Sequence, residues 1–162
     1  IKHYLWYLEK TYIIHRVPPY FTNARKEITK MPVFYFYDLG MRNFARRAGI
    51  MSKLIDGFLF ENFIFLMLQK TCSDSASPLR FWRSKSGAEV DFVVDRGTHP
   101  LAFEVKYASF REPVVGKSLR SFIERYHPER VYIVTTSFEK EITIDGARIS
   151  FAPFYRLLEE KF

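Results

Sequence analysis

A chain of 162 residues that is 48% apolar, with 17 Phe and 10 Tyr, can fill one sizeable core and is too hydrophobic to stay disordered. Its formal charge of +7 favours an anionic partner, with nucleic acid first in line. The single Cys72 excludes an intramolecular disulfide and a cysteine zinc site, and no run reaches the ~20 apolar residues of a membrane span, so a cytoplasmic protein without membrane contact is expected.

The chain opens on Ile rather than Met, which suggests a fragment of a longer protein. From Lys2, the residues Tyr4, Leu5, Leu8 and Tyr12 recur at near-helical spacing and predict a short helix. Ile13 to Val17 predicts a strand, stopped by Pro18-Pro19. Residues 21–30, with Asn23, Arg25, Lys26 and Lys30, predict a polar, basic turn. Val33 to Tyr37 predicts a second strand, and Asp38 is placed to cap a helix over 41–48, with Arg42, Arg46 and Arg47 on its solvated side. A composition shift near Ile50 sets residues 1–50 apart as a linking portion, and 51–162 as the main domain. Residues 53–70 predict a long, deeply buried helix.

Three strands follow, over 79–83, 88–95 and 101–107. A helix is predicted from Pro113 to about Tyr126, halted by His127-Pro128, and a further strand over 130–136. A hairpin is expected around Asp145-Gly146, then a terminal helix over 155–160. This order predicts an α/β domain with a central mixed sheet flanked by helices. Gly116-Lys117-Ser118 is no phosphate loop, because the glycine required five residues earlier is Arg111.

The strands over 88–95 and 101–107 carry the chemistry. Alternation puts Ala88, Val90, Phe92 and Val94 on one face of the first, and Leu101, Phe103, Val105 and Tyr107 on one face of the second. Glu89 and Asp91 then face one way, as do Glu104 and Lys106. Asp91 and Glu104 can each supply an oxygen to Mg²⁺, with Mn²⁺ as a substitute, and the Val105 carbonyl can add a third. Lys106 can orient an attacking water or stabilise developing charge. Glu61, in Phe60-Glu61-Asn62-Phe63, is costly among phenylalanines unless paired or metal-bound. Glu89 is expected as a rim residue or ion-pair partner. Trp82 either flanks a nucleic-acid groove or fills the core. Lys85, before the hairpin, and Lys117 and Arg120, at a helix start, are candidate nucleic-acid contacts.

Asp91, thirteen residues before Glu104-x-Lys106, preceded by a helix bearing Glu61, resembles the PD-(D/E)XK nuclease superfamily. More specifically, residues 33 to 107 resemble the C-terminal nuclease-like domain of bacterial and archaeal AAA-type ATPases. The resemblance is carried by Tyr35-Phe36-Tyr37-Asp38-Leu39-Gly40, Phe60 to Phe63, Phe81 to Phe92, and Phe103 to Lys106. It implies a restriction-endonuclease-like core and Mg²⁺-dependent cleavage of DNA by Glu61, Asp91, Glu104 and Lys106. It also implies an ATPase module earlier in the same chain, with residues 1–20 as the tail of a winged helix. Val90 stands where the superfamily's signature has proline. The alternative is a catalytically inactive module of the same fold that binds DNA or a partner protein for the ATPase.

Overall fold

The computed structural model describes residues 1–20, 31–46, 56–72, 77–97 and 99–159. The basic turn over 21–30, Arg47 and the first residues expected in the long helix lie outside the described residues. Helix α1 spans Lys2–Lys10 and leads into strand β1, Ile14–Val17. β1 pairs antiparallel with β2, Val33–Phe36, as a two-stranded sheet. Helix α2, Leu39–Ala45, starts at Asp38, whose Oδ1 accepts from the Met41 amide at 2.9 Å as the sequence predicts.

Helix α3, Gly57–Cys72, is apolar on nearly every side. A helix of that kind must be covered all round. It is buried in one core with Val17 and Tyr35 of the small sheet and with Phe92, Phe103 and Val134 of the large one. Its interior polar residues tie these layers together. The Asn62 side chain donates to the Phe36 carbonyl at 2.8 Å and accepts from the Phe36 amide at 2.9 Å, satisfying an edge of β2. Gln69 reaches Tyr37 and His15. Both residues are therefore structural and add nothing to a metal site.

The large sheet has six strands in the order β3-β4-β5-β6-β8-β7. They are β3 Leu79–Arg83, β4 Glu89–Val94, β5 Leu101–Val105, β6 Arg130–Thr135, β7 Lys140–Ile144 and β8 Ala147–Pro153. Neighbouring strands from β3 to β5 run antiparallel, β5, β6 and β8 run parallel, and β7 returns antiparallel on β8. The sheet is thus mixed and flanked by helices, as the order of elements predicts. The parallel strands read as continuous apolar runs because both faces are covered.

The crossover from β5 to β6 contains α4, Lys117–Tyr126. It begins four residues later than Pro113 and buries Leu119, Phe122 and Ile123, one helical stripe, against Val93, Ile133 and Ile149. Trp82 lies in this second core, 1% exposed, with its indole N–H donating to Tyr126 Oη at 3.2 Å. It is a core residue and not the wall of a groove. The β7–β8 turn has positive φ at Asp145 (50°) and Gly146 (81°), the type I′ geometry their sequence foretells. The terminal segment, Phe154–Leu158, tightens to a 3₁₀ helix instead of the α-helix expected.

Two further expectations are overturned. Arg42 is not on a solvated face: it is 3% exposed and donates to both oxygens of Asp56, at 2.9 and 3.1 Å. Arg46 pairs with the same carboxylate. A guanidinium can be buried there because a carboxylate one helix away meets its charge. Val90, moreover, does not share a face with Phe92 and Val94. It is buried in the core under α4, while they are buried in the core under α3. Between the Arg80↔Val93 and Trp82↔Val90 pairs, β3 advances two residues and β4 three. The extra residue of this bulge breaks the alternation at Asp91 and Phe92.

Candidate metal and phosphodiester site

The bulge builds the site. The β4–β5 ladder runs from Val94↔Leu101 through Val93↔Ala102 to Phe92↔Phe103 and stops. One step further, Asp91 would have faced Glu104 across it. Instead Asp91 Oδ2 accepts from the Val105 amide at 2.7 Å, so a side chain stands in for the departed β4 backbone. In an extended strand the N–H and C=O of one residue point to the same edge. The Val105 carbonyl therefore also faces the gap that Asp91 occupies. Glu104, 9% exposed, and Lys106 project from the same face of β5, with Lys106 Nζ at 2.6 Å from Glu104 Oε1. Glu104 Oε2 is buried and has no hydrogen-bond partner among the described residues.

Glu61 approaches from α3. Its Oε1 accepts from the Tyr35 hydroxyl at 2.6 Å. Tyr35 is 1% exposed and stacked on Phe65, 4.7 Å between centroids. The pairing meets two needs at once, since a buried phenol seeks an acceptor and a buried carboxylate a donor. Glu89 forms an ion pair with Arg83, 2.6 Å, while its charge still reaches Glu61 and Glu104.

Burial and mutual repulsion set the electrostatics of the group. Burial pushes the Asp91 carboxyl well above the ordinary range, and the negative charges of Glu104 and Glu61 push it further. Glu61 is raised by burial, with Glu89 and Glu104 adding repulsion against the relief supplied by Tyr35. Glu104 is raised by burial in spite of its bond to Lys106. Burial alone would lower the Lys106 ammonium, but Glu104, Asp91 and Glu61 raise it overall. Burial and then Glu61 hold the Tyr35 phenol protonated. Three carboxylates share one lysine, so the site lacks positive charge although the chain as a whole carries +7.

Among the described residues, no three His, Cys, Asp or Glu side chains gather closely enough to enclose a metal by themselves. Mg²⁺ does not require that. It is commonly held by one or two carboxylates and keeps several waters. Asp91, Glu104 with its unpartnered oxygen, and the Val105 carbonyl fit that pattern. Glu61, committed to Tyr35, fits a role through water better than direct ligation. We expect Tyr35→Phe to leave the fold intact and to weaken Mg²⁺ binding less than tenfold, read by calorimetry, because it removes one bond to a supporting carboxylate.

Lys85 is exposed in the turn between β3 and β4, and Lys117 and Arg120 are exposed on the first turn of α4. α4 follows β5 in a crossover, so its start lies at the same end of the sheet as Glu104 and Lys106. Arg120 Nε donates to the Val115 carbonyl at 3.3 Å. Sequence reasoning passed over Tyr35, because every residue of Val33-Phe34-Tyr35-Phe36-Tyr37 is apolar or aromatic and alternation alone does not single out the one that is buried.

Comparison with known proteins gives the chain a family. A family model described as "Domain of unknown function (DUF4143)" matches residues 56–156, which takes in α3, the whole six-stranded sheet and all four candidate residues. The chain belongs to that family. A second model, "Domain of unknown function (DUF8612)", matches residues 1–52. Two mycobacterial proteins, uncharacterized protein Mb2031c of Mycobacterium bovis and uncharacterized protein Rv2008c of Mycobacterium tuberculosis, are each 27% identical over 144 residues. The match covers 82% of this chain and 30% of each of theirs, so this DUF4143 chain spans about a third of the length of those relatives. Among solved structures, a half-complex of Thermococcus gammatolerans McrB AAA+ hexamers with bound McrC is similar at a TM-score of 0.47 and 18% identity, over 58% of this chain and 27% of that one. No helix among the described residues is long and apolar enough to cross a membrane.

Proposed function

We propose that this DUF4143 domain hydrolyses nucleic-acid phosphodiester bonds with Mg²⁺ at Asp91 and Glu104, as the nuclease-like part of a longer protein that also holds an ATPase module. The observation that carries the reading is the buried, unpartnered Glu104 Oε2 beside Asp91, where β4 and β5 part. A carboxylate oxygen left without a donor in the interior is expensive, and a cation that it binds removes that cost. Bound there, Mg²⁺ would polarise a phosphate oxygen and lower the pKa of a water.

The chain's own residues have separate parts. Asp91 and Glu104 hold the cation, with the Val105 carbonyl beside them. Glu61, steadied by Tyr35, orients water. Lys106 gives up its contact with Glu104 to meet charge developing on the phosphate. DNA is the expected substrate on the charge of the chain and on the resemblance to PD-(D/E)XK enzymes.

One observation favours the inactive alternative, a module of this fold that binds DNA or a partner protein. Lys106 and Glu61 are both engaged, with Glu104 and Tyr35. The two readings separate in calorimetry. We expect Mg²⁺ and Mn²⁺ to bind the wild type and to fail to bind Asp91→Ala and Glu104→Ala. Cleavage of a DNA substrate, plasmid or single-stranded, should fall about 10²–10³-fold in Lys106→Ala, the usual effect of deleting one charge-stabilising group. A wild type that binds neither cation leaves the inactive module standing.

A further inference from the structure

Two aromatic side chains packed on the neighbours of Glu61 stay in contact with solvent. Tyr107 directly follows Lys106, yet alternation turns its ring to the α3 side of the sheet, where it packs on Phe60, 5.4 Å between centroids. Phe60 is the neighbour of Glu61 in α3. Tyr107 nevertheless remains 47% exposed. Phe58, one turn before Glu61 on the same helix face, is 42% exposed. Its ring lies against Tyr35 (6.0 Å) and beneath Arg42 (5.3 Å), so it offers an apolar rim, whereas Tyr107 is the ring available as a platform.

Resting on the hydrolytic reading above, we propose that the strand entering this site is single-stranded, with an unpaired base stacked on Tyr107 and bounded by Phe58. Duplex nucleic acid hides its base faces and presents only edges and backbone, so rings beside the scissile phosphate would meet nothing they recognise. An unpaired strand presents faces that any aromatic residue can stack on, whatever the sequence. The charges fit the same ligand. Lys106 directly precedes Tyr107 in the chain, and Arg111, Lys117 and Arg120 follow within the crossover, Lys117 and Arg120 exposed where α4 begins. Phosphates on either side of a stacked base would meet these cations. Glu112 is the one carboxylate between Lys106 and Arg120.

The test is fluorescence anisotropy of the 162-residue chain with a labelled oligonucleotide of roughly 12 nucleotides, single-stranded or annealed, in EDTA at fixed salt. Single strand should bind at least about tenfold tighter than duplex, and Tyr107→Ala should weaken it roughly 5- to 100-fold, the range supplied by one base–aromatic stack. Tyr107→Phe, which keeps the ring, should bind within about twofold of wild type. Duplex binding should not respond to either change. Thermal melts of both variants verify folding, which an exposed position tolerates. Equal or tighter duplex binding overturns the inference, as does a Tyr107→Ala variant that binds single strand normally. Because EDTA removes Mg²⁺, these outcomes are independent of the calorimetric test. Cation binding with duplex preference sinks the substrate class and leaves hydrolysis standing, and single-strand preference without cation binding does the reverse.

Discussion

Asp91→Asn should make the metal-free domain more stable at neutral pH while abolishing its response to Mg²⁺. Asp91 is raised by burial and by Glu104 and Glu61, so its folded-state pKa lies above its unfolded value. For an acid shifted that way, the favourable contribution is complete below the unfolded value, near pH 4, and is lost as pH climbs through the folded one. In EDTA the wild type should therefore lose melting temperature, relative to Asp91→Asn, as pH rises from about 4 towards 8. Asparagine keeps a carbonyl oxygen for the Val105 amide and removes one of three repelling charges. Each 1 kcal/mol recovered should appear as about 2–4 °C in a chain of this size. Addition of Mg²⁺ should reverse the ranking. A cation bound by Asp91 would favour the ionised form, so its stabilisation of the wild type should grow with pH, reaching about 1.4 kcal/mol at a concentration ten times its dissociation constant. The Asp91→Asn variant should give no such shift. A wild type whose melting temperature is flat with pH in EDTA and unmoved by Mg²⁺ would remove the site from consideration.

The sheet and its flanking helices were legible because each element obeys a period. Leu119, Phe122 and Ile123 repeat every three to four residues in α4, and the turn residues Asp145-Gly146 demand positive φ. The candidate residues were legible for a related reason. Acids and a lysine on otherwise apolar strands must point somewhere, and alternation narrows the choice. It failed where one residue was added to β4. Strict alternation puts Val90 with Phe92, and no composition signal at Glu89-Val90-Asp91-Phe92 announces the bulge that separates them. The same bulge ends the β4–β5 ladder and leaves Asp91 to satisfy Val105, so the departure from period is what creates the gap. Partnerships across long separations were also hidden. Tyr35 with Glu61 is 26 residues apart and Arg42 with Asp56 is 14. Neither follows from local spacing, because each depends on how α2, β2 and α3 pack. The cost of a carboxylate among phenylalanines did flag Glu61, but it could not say that the partner is the Tyr35 hydroxyl.

Asp56→Ala should be the most damaging single change outside the cores, at about 2–4 kcal/mol by denaturant unfolding, because one side chain does three things. Its Oδ1 accepts from the Leu59 amide at 2.6 Å and so satisfies a free donor at the start of α3. It also receives two bonds from Arg42 and one from Arg46. The pull of the Leu59 amide and the two guanidiniums outweighs burial and holds its carboxyl below the ordinary range. Alanine would leave Arg42, 3% exposed, with its charge uncompensated inside the protein, and that is the larger cost. Arg46 is exposed and would simply be hydrated, which keeps the total below the sum of its parts. Asp56→Asn separates the contributions. It retains an acceptor for Leu59 but loses the ion pairs, so it should recover only the capping share, about 1 kcal/mol. The consequence for the site follows from position: Glu61 sits little more than one turn along α3 from this cap, beside Phe58, which Arg42 covers. Fraying that first turn would release Glu61 from Tyr35 before it disturbed Asp91 or Glu104 on the sheet. Asp56→Ala should therefore lower any Mg²⁺-dependent cleavage more than it weakens Mg²⁺ binding, measured at a temperature where the variant is fully folded. Equal losses of both would mean that Glu61 is a direct ligand and not a supporting carboxylate.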